Sequence, residues 1–218
     1  MNIFHQKYKH PSDMKNLTFF ALFMTLLLFI SCTKEKPIEE PVKPENPYIF
    51  AYNNASYSLG GQTDAISGPT LSLQYSRYHY HYKKVGEDRY IVSIDNHFYA
   101  PEDFHFYDTL YLEINHLGIV ETDRNFNNPC YILRTGAPIG EIHQREASLY
   151  FGNDTEIREL TQKEEYVATV AGGFNCFEVT YTYPNLGYII KYYIHPLKGI
   201  VRIEQESPFD SSFWTLLP

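Results

Sequence analysis

Val170–Glu204 reads VAGGFNCFEVTYTYPNLGYIIKYYIHPLKGIVRIE, and this stretch decides the fold class. Gly172-Gly173 is a turn. Phe174, Cys176 and Glu178 then fall on one side of an extended segment, with Phe177, Val179 and Tyr181 on the other. Such alternation is the signature of a half-buried strand. Pro184-Asn185-Leu186-Gly187 follows as a hairpin turn in which Gly187 supplies a positive φ. Tyr188–His195 returns, Pro196-Leu197-Lys198-Gly199 turns again, and Ile200–Glu204 closes the motif. The reading is a three-stranded antiparallel meander.

Working outward, the same period recurs. Leu71–Tyr82, LSLQYSRYHYHY, places Leu71, Leu73, Tyr75, Arg77, His79 and His81 on one face. Ser72, Gln74, Ser76, Tyr78, Tyr80 and Tyr82 occupy the other. KKVGED then turns and RYIVSID returns as a hairpin. DTLYLEIN with GIVETD reads as a second hairpin, and REASLYFG and VATVA as further strands. TEIRELTQKEEYV carries the best helical spacing, but it is too short and too polar, and it reads as strand or irregular. LGIVETD (117–123) echoes KGIVRIE (198–204), each with Gly-Ile-Val after a turn. The expectation is a mainly β domain of about eight to ten strands, as one curved antiparallel sheet, a half-barrel or a sandwich.

The N-terminal region is different in kind. Leu17–Ile30 is an apolar run of fourteen residues. A membrane-spanning helix needs about twenty, whereas the apolar middle of a secretory signal runs about 7–15. Lys15 supplies the preceding positive charge. Met14 stands directly before it, so residues 1–13 read as an upstream extension. Residues 1–31 are thus expected to be a signal peptide. Residues 32–47 follow as a linker in which Pro37, Pro41, Pro44 and Pro47 interrupt Lys and Glu. Proline fixes φ and removes a donor, so this segment favours extended, solvated conformations. Residues 48–218 form the single domain.

Without residues 1–31, which carry Lys7, Lys9, Lys15 and Asp13, the chain keeps 15 basic and 25 acidic side chains, a net charge of −10. That balance opposes phosphate binding, and no nucleic-acid partner is expected. The 20 tyrosines suit a pleated, half-buried surface. Two arrangements fit Cys130 and Cys176. A disulfide would close a loop of about 47 residues and stabilise by roughly 4 kcal/mol in the chain-entropy model. The other arrangement is two buried free thiols packing as small hydrophobes.

Two resemblances bear on these residues. Phe29-Ile30-Ser31-Cys32 resembles the lipobox of bacterial lipoproteins, with Phe29 in a place usually held by an aliphatic residue. The resemblance implies cleavage after Ser31 and acylation of Cys32, hence a membrane partner through acyl chains. Thr33, where inner-membrane lipoproteins carry Asp, implies the outer membrane of a Gram-negative envelope, with the periplasmic or surface face left open. TVAGGFNCFEV resembles the TVPAGTFxCYxV strand of uncharacterised bacterial envelope lipoproteins, and YYIHPLKGIVRIE resembles their closing YYAPGVGLVK hairpin. Gly173 stands where Thr is usual, and His195-Pro196-Leu197 alters the last turn. The match covers about 35 residues. It implies a curved antiparallel sheet, similar in shape to periplasmic lipoprotein carriers, and supplies no catalytic residues.

Motifs for chemistry are sparse. His79 and His81 share a strand face, but a zinc site needs three or four ligands and no companion motif is present, so neither metal nor cofactor is expected. No Gly-x-Ser-x-Gly elbow or phosphate-cradling loop occurs, and no catalytic residue is assigned. Tyr78, Tyr80 and Tyr82 form an aromatic ladder that either faces a ligand or packs across strands. The preferred expectation is a non-enzymatic outer-membrane lipoprotein that binds an apolar or glycan-like ligand or a partner protein. A structural envelope component and a hydrolase with a site assembled from distant residues are the alternatives.

Overall fold

The structure, a computed structural model, describes residues 45–67, 70–99, 104–147, 154–208 and 210–218. The expected signal peptide, Cys32 and the linker up to residue 44 lie outside the described residues.

Twelve strands are present among the described residues: β1 (Ala55–Ser67), β2 (Thr70–Lys84), β3 (Arg89–Phe98), β4 (Phe104–Asn115), β5 (Gly118–Thr122), β6 (Cys130–Arg134), β7 (Ile142–Glu146), β8 (Thr155–Thr169), β9 (Gly172–Tyr183), β10 (Tyr188–His195), β11 (Gly199–Glu206) and β12 (Asp210–Leu216). They form one antiparallel sheet in the order β6-β5-β4-β3-β2-β1-β12-β11-β10-β9-β8-β7. Every strand pairs with its neighbour in sequence, with one exception, and the first strand pairs with the last, Leu59 opposite Leu216. The exception is β6 and β7, which end the sheet. The sheet therefore curves into a barrel closed everywhere but at one seam.

The meander of β9, β10 and β11 and the hairpins β2–β3 and β4–β5 lie where their sequence periods put them. Two readings are corrected, a third falls partly outside the described residues, and one left open is decided. Among the described residues the strand number is twelve: β1 and β12 carry small or polar residues at half their positions or more, and the apolar run of β6, Tyr131–Leu133, is only three residues long. Of REASLYFG (145–152), Arg145 and Glu146 end β7, Ile142–Glu146, and residues 148–152 lie outside the described residues. VATVA is not a separate strand but the end of β8 and its turn, and β8 extends from Thr155. Cys130 and Cys176 are free buried thiols, on strands that share no hydrogen bond. Each donates to a main-chain carbonyl instead, Cys130 to Tyr131 at 4.0 Å and Cys176 to Phe174 at 3.6 Å. Burial pushes the Cys176 thiol up to about 12, which keeps it protonated and unreactive.

Alternation decides what faces inward. On β2, Tyr80 and Tyr82 are buried while His81 between them is exposed. Val92 and Ile94 of β3, Leu112 and Ile114 of β4, and Trp214 and Leu216 of β12 complete that side of the interior. Trp214 lies across the backbone of Gly61, where an added Cβ would sit 2.0 Å from the Phe213 carbonyl oxygen and 2.5 Å from the indole. Glycine is required there for close approach rather than for an unusual φ.

Residues 46–54 plug one end of the barrel. Asn46 donates from its side chain to the Ile114 carbonyl at 3.2 Å and accepts from the Tyr48 N–H at 2.9 Å. Tyr48 and Phe50 are each 3% exposed. Phe50 meets Tyr82 edge-on at 5.9 Å and lies against Gly199 of the β10–β11 turn. Gly199 has φ +74°, and its missing side chain leaves the space that the Phe50 ring fills.

Candidate functional site

The interior is not filled. A cavity of about 430 Å³ runs from Phe50 at the plugged end to Phe106, Tyr188 and Gln205 near the opposite strand ends. That volume lies within the usual range for small-molecule sites, about 300–1,000 Å³. Its floor is aliphatic, with Leu112, Ile119, Ile194 and Ile200 toward the plug. Its upper wall is aromatic and polar.

Tyr78, Tyr80 and Tyr82, the ladder of β2, all line this cavity, so the face singled out in the sequence is the inner one. Tyr181, Tyr183, Tyr188 and Tyr192 of β9 and β10 line it from across the barrel. Tyr78 stacks on Tyr80 at 6.2 Å and meets Trp214 edge-on at 5.0 Å. Tyr181 and Tyr192 are 4.8 Å apart. Among the described residues the hydroxyls of Tyr78, Tyr80, Tyr82, Tyr181 and Tyr192 make no hydrogen bond to the protein, yet they are not sealed off; the sealed atoms without a partner are Asn96 Oδ1, His116 Nδ1 and Arg202 Nε. Burial raises every one of them, Tyr78 to about 12, so all stay neutral.

The seam supplies the opposite kind of wall. Arg145 of β7, Glu156 and Arg158 of β8 and Glu121 of β5 point inward and meet across the unpaired β6–β7 edge. Arg158 Nη2 donates to Glu121 Oε2 at 2.5 Å and Arg158 Nε to Glu156 Oε1 at 2.6 Å. Arg145 donates to the same two carboxylates at 2.7 and 2.8 Å. Arg158 Nη1 reaches the Cys130 carbonyl of β6 at 3.3 Å, and its guanidinium stacks over the Tyr181 ring at 4.7 Å. The Tyr183 hydroxyl donates to Glu156 Oε2 at 2.7 Å. Two arginines and two glutamates cancel in charge and satisfy one another, as buried charges must. Burial alone would raise the Glu156 carboxyl, but the Arg158 and Arg145 charges and the Tyr183 hydroxyl outweigh it and hold Glu156 below the usual carboxylate range. Where the main-chain ladder stops, this network joins the two edges. Arg134, paired with Glu141, pins the connection between β6 and β7 at the plugged end.

The wall has an opening. On β4, β5 pairs with Tyr111–Asn115, so among the described residues Phe104–Leu110 pairs with β3 alone. Asp108 and Thr109, adjacent residues of β4, both line the cavity along this edge. Asp108 Oδ1 accepts from the Thr109 N–H at 2.7 Å, and Asp108 has no ion-pair partner among the described residues.

The chain is similar in structure to two solved proteins. One, from Bacteroides fragilis NCTC 9343, is inferred to be exported and has a YmcC-like fold; it shares 15% identity with this chain at a TM-score of 0.47, over 78% of this chain and 97% of that one. The other, from Parabacteroides distasonis ATCC 8503, is inferred to be a lipoprotein; it shares 13% identity at a TM-score of 0.45, over 80% and 98%. No family model and no curated protein matches the chain.

The remaining sequence candidates lie elsewhere. His79 and His81 face outward, each with Nδ1 against a serine of β1, at 2.8 Å from Ser58 Oγ and 2.9 Å from Ser56 Oγ. Among the described residues no group of three His, Cys, Asp or Glu side chains could hold a metal ion. The seam charges were not picked out in the sequence. Their signal was an inverted pattern: in Thr155–Leu160 the charged residues Glu156 and Arg158 are buried, while Ile157 between them is only half-buried.

Proposed function

We propose that the protein is a lipid-anchored component of the cell envelope whose barrel interior holds a small guest molecule and performs no chemistry on it. The observation that carries this reading is the cavity itself, lined by Tyr78, Tyr80, Tyr82, Tyr181 and Tyr192. A hydroxyl both donates and accepts, so tyrosines around open space suit a guest with polar atoms of its own. The aliphatic floor fits an apolar portion of the same guest. A purely structural envelope role would be better served by a filled core.

The non-catalytic part of the reading rests on the carboxylates. Glu121 and Glu156 are committed to arginines, and Glu156 is held ionised, which suits a clasp better than an acid–base pair. The anchor at Cys32, with placement in the outer membrane, follows from the lipobox-like signal and the proline-punctuated linker.

The test is native mass spectrometry of the full-length protein, expressed with its signal in a Gram-negative host and released gently from the membrane. The expected spectrum shows a one-to-one adduct of small mass and acylation at Cys32. A species with no adduct that also gains no stability from any lipid or glycan mixture contradicts the binding reading. An unmodified Cys32 contradicts the anchor.

A further inference from the structure

We infer that the cavity selects guests bearing a primary ammonium group on an apolar chain, with Asp108 as counter-ion and the hydroxyl oxygens of Tyr78, Tyr80 and Tyr192 as acceptors. This rests on the guest-binding reading above and names the chemistry of the guest.

The charges that face the cavity are unevenly committed. Arg145, Glu121 and Glu156 line it, and Arg158 stands behind them. These four cancel within their own network. Asp108 is left as a carboxylate facing the same space with no cation beside it among the described residues. An ionised group in a half-buried wall is stabilised by an opposite charge at contact distance. The guest is the available source of that charge.

The tyrosines fit the same occupant. An ammonium group has three N–H donors and no acceptor, so it must be met by oxygens. Asp108 offers one uncommitted carboxylate oxygen, because its Oδ1 already accepts from Thr109. The unpaired tyrosine hydroxyls supply the other lone pairs, and the aromatic faces favour a cation by their quadrupole. Asp108, Tyr78, Tyr80 and Tyr192 line one cavity. Burial is the main cause that lifts the Tyr80 hydroxyl, and Tyr192, Tyr78, Tyr82 and Asp108 each add to it electrostatically. The rings of Tyr78 and Tyr80 stack at 6.2 Å on one face of β2.

An anionic guest has one point in its favour. Arg145 Nη1 makes no bond among the described residues. The charge of that guanidinium is already shared by Glu121 and Glu156, however, and a carboxylate guest would add to the negative charge of Asp108. The apolar part of the guest lies on Leu112, Ile119, Ile194 and Ile200 toward the plug.

The test is calorimetric titration of the full-length protein in lipid nanodiscs, with empty nanodiscs as blanks, using hexylamine, hexanoate and hexanol at neutral pH. Hexylamine is expected to bind at least about tenfold more tightly than either of the others. Asp108→Asn is expected to erase that preference while leaving hexanol affinity within about threefold. Hexanoate or hexanol binding as tightly as hexylamine overturns the inference and leaves the guest-binding reading standing. So does a preference that survives in Asp108→Asn. If none of the three binds, the guest-binding reading falls with it. The ranking of the three probes on the unmutated protein is decisive alone, should the variant fold poorly.

Discussion

Tyr183 and Tyr80 are both buried, both inward-facing and both on the cavity wall, yet they differ in what their hydroxyls do. Tyr183 donates to Glu156 within the charge network that spans the seam. Tyr80, across the barrel, donates to nothing among the described residues. The seam side is saturated with protein–protein bonds because it replaces a missing strand ladder. The opposite wall is left unsatisfied because the ladder already holds it and its hydroxyls face open space. One inventory of residues thus does two jobs, closure on one side and reception on the other.

The comparison breaks most visibly at Arg158, which is 1% exposed and touches both carboxylates and a β6 carbonyl. Arg158→Met leaves Glu121 and Glu156 facing one arginine instead of two. The expected loss is about 3–5 kcal/mol by urea unfolding, the cost of breaking a buried pair from one side. Replacing all four network residues by apolar side chains of similar volume is expected to cost much less, since it also removes the desolvation penalty. A single variant as stable as the parent would show that the seam is held by something else.

On the opposite wall the largest expected effect is steric. Gly61→Ala forces a methyl group into the Phe213 carbonyl and the Trp214 ring, and it is expected to cost about 1–3 kcal/mol with partial loss of native tryptophan fluorescence. An unchanged stability and spectrum would mean that the indole does not lie on that backbone.

The acid response sharpens the contrast further. Glu156 is depressed in the folded state, so it binds its proton less readily there than in the unfolded chain. Its contribution to stability is complete above the ordinary glutamate range, about 4.3, and fades as pH falls through the depressed folded value. Stability measured from pH 6 down to pH 3 is expected to fall, and the Glu156→Gln variant to fall less steeply. The tyrosine wall contributes nothing in that window, since its hydroxyls are neutral throughout. A slope unaffected by Glu156→Gln would remove the clasp from the account.

Much of the fold was legible because alternation survives wherever the inside is apolar or aromatic. Tyr78, Tyr80 and Tyr82 against His79 and His81 marked the strand and its two faces, and the structure turns the tyrosines inward. The GIV echo also has a counterpart: Gly118 and Gly199 both begin strands with positive φ. Legibility failed in β8 for a physical reason. Its inner residues are Glu156 and Arg158, so the usual contrast of apolar inside and polar outside is reversed. The strand also changes register between Leu160 and Gln162 and again before Glu165, where Glu164 takes φ +60°. A β-bulge resets which residues face inward, and no simple period passes through it. The cavity was legible only as an aromatic face. Asp108 looked like the polar start of a strand, and nothing local to it reports that β5 stops short.

The most direct test of the division between closure and reception is urea unfolding of Tyr183→Phe and Tyr80→Phe measured side by side. Tyr183→Phe leaves a buried carboxylate oxygen unpaired and is predicted to lose about 1.5–3 kcal/mol, whereas Tyr80→Phe removes a hydroxyl with no protein partner and is predicted to change stability by less than about 1 kcal/mol. Equal losses, or a larger loss at Tyr80, would contradict the account.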